Sequence, residues 1–361
     1  MNIAIIGAGM AGLSCAITLE KYGYQADIFE RRGMVGDRFI FAEIMSPIMH
    51  PPVSDSVQFL SKEYGIDLKP TSNISKIHVH SANESAVIEG KLGFINMRGK
   101  HPESYEQQLA SQVKAPIHFN QTVKYEKIAK EYTHVILATG DTKDVEQIQS
   151  FKAAMLVEFK GAIVKGEFER NHVHTWFDHT FAPKGMVYFL PHSSTEASLV
   201  LVYPQYPENE GKNKGDLWQK AYEKAQSTLN QDLPITDEFS LSDYMVGKAM
   251  NPRIGNTFFT GNCLGSISPF LGFGEFTSIL SGIYAALDIC GEGDYVELTK
   301  PIMQKYHDSL TLRRSFEKLS NNQIDLVTKA LKVEAVEKAL TSPNFSLLKL
   351  LSKVIHPFSR N

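Results

Sequence analysis

Apolar and polar positions alternate along this chain with two different periods. An unbroken apolar run, Ile3 to Ile6, is too short for a helix and fits a strand buried on both faces. Helical spacing then carries Ala16 and Leu19 as far as Gly23, a plausible C-cap, and a second strand closes on Glu30. Residues 76–97 alternate in strand fashion ("KIHVH", "SAVIEG"). Tyr105, Leu109 and Val113 form one stripe of a helix, and a further buried strand ends at Ala138-Thr139-Gly140. Residues 151–249 are rich in β-branched and aromatic side chains. There "AMLVEF", "GMVYFLP" and "ASLVLVY" read as strands, with a helix around 217–229 between them and the next section. Thr257-Phe258-Phe259 is a strand that stops at Gly261, and a small-and-apolar helical pattern runs later through Tyr284 and Leu287. Near the end, Leu347, Leu348, Leu351, Val354 and Ile355 share one helical face with Lys349 and Lys353 beyond it.

The junction between the first strand and the first helix carries the clearest chemistry. Gly7, Gly9 and Gly12 stand at G-x-G-x-x-G spacing, with Ala8, Met10 and Ala11 between them. The first glycine permits a tight turn, the second lets the backbone approach a pyrophosphate, and the third allows close helix–strand packing. The helix beyond them aims its free N–H groups and positive dipole end at the phosphates. Glu30 closes the second strand, where a carboxylate accepts from ribose hydroxyls and disfavours a 2′-phosphate. The site therefore suits FAD or NAD rather than NADP.

Composition narrows the class. With 361 residues the chain buries a substantial core and has room for two domains. A net charge of −3 gives no electrostatic case for nucleic acid. Three cysteines without C-x-x-C spacing imply neither a disulfide framework nor a zinc knuckle. No secretory leader pattern and no apolar stretch of about 18 residues is present, so a cytoplasmic protein is expected.

Taken in order, these landmarks resemble the glutathione-reductase-like FAD superfamily: Gly7/Gly9/Gly12 with Glu30, Arg98 before its helix, Ala138-Thr139-Gly140, and Gly261…Pro269…Gly272-Phe273-Gly274. Within it the chain is most similar to the single-Rossmann branch of geranylgeranyl reductases, lycopene-cyclase-like proteins and p-hydroxybenzoate-hydroxylase-type monooxygenases. That resemblance implies an α/β Rossmann-like FAD-binding domain, an inserted, mainly antiparallel β-sheet substrate domain and C-terminal helices. The FAD domain would be discontinuous over residues 1–75, 98–150 and 250–295. Residues 76–97 and 151–249 would form the substrate domain, and 296–361 the helical segment. It further implies that Glu30 binds the adenosine ribose and that the Val123 backbone touches adenine. Arg98 would sit near the pyrophosphate, Gly261 and Asn262 near the ribityl and phosphate region, and Gly272, Phe273 and Gly274 against the flavin pyrimidine edge. Arg31, Arg38, Thr139, Gly140 and Pro269 complete the expected cofactor-binding set. Where the family usually has Asp, Asn262 still accepts through its amide oxygen and adds no negative charge, so FAD is expected to be retained.

A second partial likeness concerns residues 176–204. Gly185, Tyr188 and Pro191 occupy the Gly, Trp and Pro places of the geranylgeranyl-reductase sheet signature, while Met186 and Leu190 replace Tyr and Phe. Trp176, Tyr188 and Phe270 are the expected pocket-lining aromatics, and Tyr188 is the one candidate for a catalytic proton donor. The leading expectation is a reductase or dehydrogenase of a hydrophobic, isoprenoid-type substrate, and the second is an aromatic or lipid-type monooxygenase. The Ala-Asp-Gly-x-x-Ser-x-x-Arg run usual in that second group is replaced here by Thr139-Gly140-Asp141-Thr142. A non-catalytic FAD-binding protein is the third. No second G-x-G-x-x-G follows a strand, so electrons would come from transient NAD(P)H or from a protein donor.

Other features are read more plainly. His172, His174, Asp178 and His179 lie close in sequence, but convergence is what makes a metal site, and structural histidines are expected. Cys263, beside the flavin loop, is expected to be a packed thiol. The basic amphipathic C-terminus is expected to dock on the protein's own core, with a membrane surface or a cover over a lipid-substrate tunnel as its alternatives.

Overall fold

The computed structural model describes residues 1–46 and 52–332; the amphipathic pattern at 347–355 lies outside them. The first sheet has six strands in the order β13-β14-β7-β1-β2-β6: Arg253–Ile254, Thr257–Phe259, His134–Leu137, Ile3–Ile6, Asp27–Phe29 and Ile117–His118. All pairings but β13 with β14 are parallel. Both faces of this sheet are covered, which explains why β1 reads as continuous Ile-Ala-Ile-Ile. Ile3 and Ile5 pack toward α1 (Met10–Lys21) and α7 (Glu275–Ile289). Ala4 and Ile6 pack toward α4 (Tyr125–Glu131) and α5 (Thr142–Glu146). α1 and α7 approach very closely. A Cβ on Gly282 would stand 2.0 Å from the Ala11 carbonyl oxygen, and Ser14 Oγ donates to the Ile279 carbonyl at 3.1 Å.

The second sheet has eight strands in the order β12-β8-β11-β10-β9-β4-β5-β3. These are Ile235–Ala249, Phe151–Lys165, Glu196–Pro204, Met186–Pro191, His172–Trp176, Ser72–His80, Ser85–Arg98 and Phe41–Met45. Only β4 and β9 pair in parallel. β3 and the start of β4 therefore pair into this sheet, although the resemblance groups residues 1–75 with the first. The cause is that β3 pairs with the far half of β5, from Phe41↔Arg98 to Met45↔Phe94, a long-range register that no local pattern reveals.

One face of the second sheet is sealed by α6 (Lys214–Leu229), whose Leu217, Trp218, Ala221 and Ala225 meet Val187, Phe189, Leu199 and Leu201. Its opposite face meets the 264–274 loop, α8 (Tyr295–Phe316) and α9 (Asn321–Leu331) through Phe270, Leu312, Phe316, Ile324 and Val327. Asp325 of α9 is fixed to the β4–β5 turn, accepting from Asn83 Nδ2 at 2.8 Å and from the Asn83 N–H at 3.1 Å. The two remaining short helices, α2 (Ser56–Tyr64) and α3 (Tyr105–Ala110), complete the core around α1. Among the described residues no helix is long and apolar enough to cross a membrane.

Candidate cofactor and substrate site

At the head of α1 the three glycines divide their work. Gly7 has φ +107°, and a Cβ there would meet the Ala138 carbonyl oxygen at 2.5 Å. One on Gly12 would stand 2.1 Å from the Gly7 carbonyl oxygen. Gly9, the helix N-cap, faces open space, with nothing within 4 Å of the same position. Two of these glycines thus let the chain close on itself, and the third keeps a cradle clear in front of the helix. The Glu30 carboxylate stands at the rim of that cradle. It accepts from the Ala8 N–H at 2.9 Å and from the Arg32 N–H at 3.0 Å. Met10 and Ala11 are buried in the first turn of α1.

The ends of β7 and β14 bring two further expected segments to the same place. Gly140 (φ +70°) lies 4.0 Å from the Asn262 Nδ2, measured from an added Cβ. The Gly261 N–H donates to Ser281 Oγ at 2.8 Å. Asn262 donates through Nδ2 to Tyr244 Oη at 2.8 Å and accepts through Oδ1 from Ser266 Oγ at 3.1 Å. Thr139 Oγ1 sits 3.4 Å from Cys263 Sγ, and burial pushes that thiol up to about 11. All three cysteines are free, and Cys263 is buried. Downstream, the loop is pinned by the Ser268 N–H donating to the Phe273 carbonyl at 2.8 Å and the Phe270 N–H donating to Ser309 Oγ at 3.0 Å. Gly272 (φ +78°) leaves open space where a Cβ would stand, and Gly274 caps α7.

Val123 and the Arg31 guanidinium pack near the β7 side of the sheet. Val123 is half-buried against the cluster containing Ile128 and Val135, and Arg31 pairs with Asp141 at 3.5 Å. These elements match the demands of an extended dinucleotide: an open glycine cradle at a helix N-terminus, a ribose-side carboxylate, and a second backbone-exposing loop opposite.

Continuous with that crevice through Met10, Asn262, Gly272 and Gly274, a cavity of about 360 Å³ runs between the 267–275 loop and the concave face of the second sheet. Phe39, Phe41, Val79, Val173, Phe177 and Leu190 are among its walls, as are Tyr188, Arg38, Pro269, Phe270 and Phe273. Residues of α9, from Ile324 to Leu331, close its far end. Tyr188 keeps its proton, because burial and then the neighbouring Glu43 raise the phenol. Trp176 is elsewhere, contrary to expectation. On β9 the side chains of Val173 and Thr175 face the cavity, while His172, His174 and Trp176 point to the α6 side. Trp176 is 1% exposed, and its Nε1 donates to Thr228 Oγ1 at 3.2 Å.

Sequence reasoning missed the most polar part of the cavity floor. Arg98, at the end of β5, is half-buried among three carboxylates. It ion-pairs with Glu43, with Glu106 at 2.8 Å and with Glu275 at 3.6 Å. Burial works against its charge, but Glu106, Glu43 and Glu275 together hold the proton firmly. Neither Glu43 nor Glu275 stands in a recognisable motif, since they come from β3 and from the first turn of α7. Only the Arg98 end of the cluster carried a signal in the sequence.

The four histidines of β4 and β9 form a stacked ladder on the back of the sheet. His78 and His174 rings lie 4.3 Å apart at 6°, and His80 Nε2 is 3.1 Å from His174 Nδ1. Asp178 and His179 are not with them. They bind Asn321 and the Leu319 carbonyl near the start of α9.

Residues 1–162 match the family model described as pyridine nucleotide-disulphide oxidoreductase. A rubredoxin-NAD(+) reductase of Pseudomonas putida is 30% identical over 108 residues, 29% of this chain and 25% of that protein. The chain spans about a quarter of the length of the curated relatives it matches. In fold it is similar to a geranylgeranyl bacteriochlorophyll reductase-like protein from Thermoplasma acidophilum, with TM-score 0.71 at 13% identity over 98% of this chain and 99% of that one. A triple mutant of a flavin-dependent brominase gives TM-score 0.70 at 12% identity, covering 99% of each chain. The match over residues 1–162 assigns that part of the chain to the pyridine nucleotide-disulphide oxidoreductase family, and the glycine cradle with Glu30 and the two-sheet fold agree with the resemblance to the glutathione-reductase-like FAD superfamily.

Proposed function

We propose that the protein is an FAD-dependent oxidoreductase acting on a hydrophobic substrate, most simply as a reductase or dehydrogenase of an isoprenoid-type carbon–carbon double bond. The observation that carries this reading is the cavity of about 360 Å³ with mainly aliphatic and aromatic walls, which opens against the loop holding Gly272 and Gly274. Part of that space, lined by Met10, Asn262, Gly272 and Gly274, would be taken by the flavin, and the apolar walls beyond it favour a ligand that gains from leaving water. Gly7, Gly9, Gly12 and Glu30 would hold the adenine half of the cofactor, and Gly261, Asn262, Gly272 and Gly274 the flavin half. When bound, FAD supplies hydride and electron transfer. The chain's own contribution is to orient it with backbone N–H groups, to exclude water with the walls around Phe270 and Phe177, and to hold Tyr188 protonated in the cavity. NAD(P)H or a protein donor would deliver the electrons.

The test is anaerobic. FAD-loaded protein is photoreduced and mixed with a polyprenyl compound carrying reducible double bonds, and flavin absorbance is followed. Return of the oxidised spectrum without oxygen, with reduced product, is the expected result. Oxygen-dependent hydroxylation of an aromatic or lipid would replace this reading with a monooxygenase. Reoxidation by no organic acceptor would leave an FAD-binding protein without this chemistry.

A further inference from the structure

Charges in the cluster beneath the 267–275 loop do not balance if every carboxyl is ionised. Glu43, Glu106 and Glu275 surround one guanidinium, so three ionised carboxylates would leave two negative charges in a buried place. Glu275 is the most enclosed, 2% exposed, and only one of its oxygens is satisfied: Asn96 Nδ2 donates to Oε2 at 2.7 Å. Its Oε1 has no hydrogen-bond partner and lies 3.6 Å from Arg98 Nη1, the same nitrogen that ion-pairs with Glu43, so the two carboxyl groups crowd one donor. Two carboxyl groups so placed repel one another unless a proton lies between them. With a proton there, the orphaned oxygen gains a partner and the cluster sheds one negative charge.

We propose that Glu43 and Glu275 share a single proton, and that this pair is the proton source for a ligand in the apolar cavity. Both residues line the cavity, and Glu43 on the edge strand β3 is the more open of the two, with 33% of its side chain exposed against 1% for Glu275. The surrounding titratable groups favour the protonated pair. Glu106 on α3 adds negative charge, and Tyr105, Tyr188 and Tyr244 are neutral phenols. Arg98 pulls the other way, as does the Asn96 amide on Glu275, and Arg98 is already shared with Glu106. Burial, followed by the charge of Glu43, raises Glu275 far above the carboxylate range, and burial likewise raises Glu43. A neutral Glu275 also leaves the positive end of α7 uncompensated where that helix faces the flavin loop.

The use of this proton rests on the reductive reading above; its existence does not. Saturating a carbon–carbon double bond adds a hydride equivalent to one carbon and a proton to the other. The electron pair of the hydride derives from the nicotinamide or protein donor. At the second carbon a C–H bond forms as the carboxyl O–H bond breaks, and the pair then recovers its proton from water.

Infrared difference spectroscopy in water and D₂O on the full-length protein tests the pair without substrate or turnover. At pH 7 the protein is expected to show a protonated-carboxyl C=O band that shifts within the mixing time in D₂O. That band is expected to vanish in both Glu43→Gln and Glu275→Gln and to survive in Glu106→Gln. The deuterium shift and the variants separate it from flavin carbonyls, and if Glu275→Gln fails to fold, Glu43→Gln alone decides. No such band at pH 7, or a band unchanged in Glu43→Gln, overturns the shared proton. A band that resists deuterium for hours overturns its delivery to the cavity.

Discussion

At the head of α1, Gly9 and Gly12 look alike in the motif but differ in what a methyl group would strike. Gly12 has the Gly7 carbonyl oxygen 2.1 Å from its added Cβ, whereas Gly9 has free space. Gly12→Ala is therefore expected to destabilise the protein by about 1–3 kcal/mol through overpacking, read as a lower urea midpoint. Gly9→Ala is expected to keep the midpoint of the cofactor-free protein and to weaken FAD binding by about tenfold or more, about 1.4 kcal/mol, in a fluorescence titration. Equal effects of both changes on stability, with FAD affinity intact, would remove the cradle from the cofactor site. These glycines and Glu30 were legible in the sequence because their spacing is local. The Glu43–Arg98–Glu275 cluster was not, because its members lie far apart along the chain and meet only through sheet pairing and the packing of α7.

Elements with a regular period were read well and those with broken periods were not. β8, β10, β11, α6 and α7 fall where their patterns put them. β12 was missed because its first half is polar and its pairing with β8 shifts register three times. α4, only seven residues without a side-chain cap, carried too weak a signal. Alternation also decides sides, and a strand's two faces cannot be told apart from inside one strand. That is why Trp176 went to the wrong face while its neighbours Val173 and Thr175 line the cavity. The same back face holds the histidine ladder. Burial, then the neighbouring imidazoles, lowers His174 to about 3, and His80 to about 4. These rings fold neutral below the ordinary histidine value of about 6.5. Their contribution to stability is full above that value and is lost as pH falls toward 4. From pH 7 to pH 4.5 His174 alone is expected to remove about 2 kcal/mol. His174→Phe, which keeps the stacking, should flatten the acid limb of the urea midpoint against pH. An unchanged slope would exclude the ladder as its cause.

Across the whole molecule the two sheets divide the labour. The parallel sheet, covered on both faces, presents β1, β7 and β14 ends as one crevice, and the antiparallel sheet curls over an apolar cavity next to it. The family match ends at residue 162, after the glycine cradle, Glu30 and β7 but before the Gly261–Gly274 loop, and the cavity walls come largely from residues beyond that point. A cofactor class is therefore far better fixed by this chain than a substrate. The measurement closest to the central claim is the absorbance spectrum of the protein after incubation with FAD and desalting. About one equivalent of FAD is expected to remain bound with an oxidised-flavin spectrum, and Glu30→Ala is expected to retain markedly less. A colourless protein that no incubation with FAD can load would contradict the account.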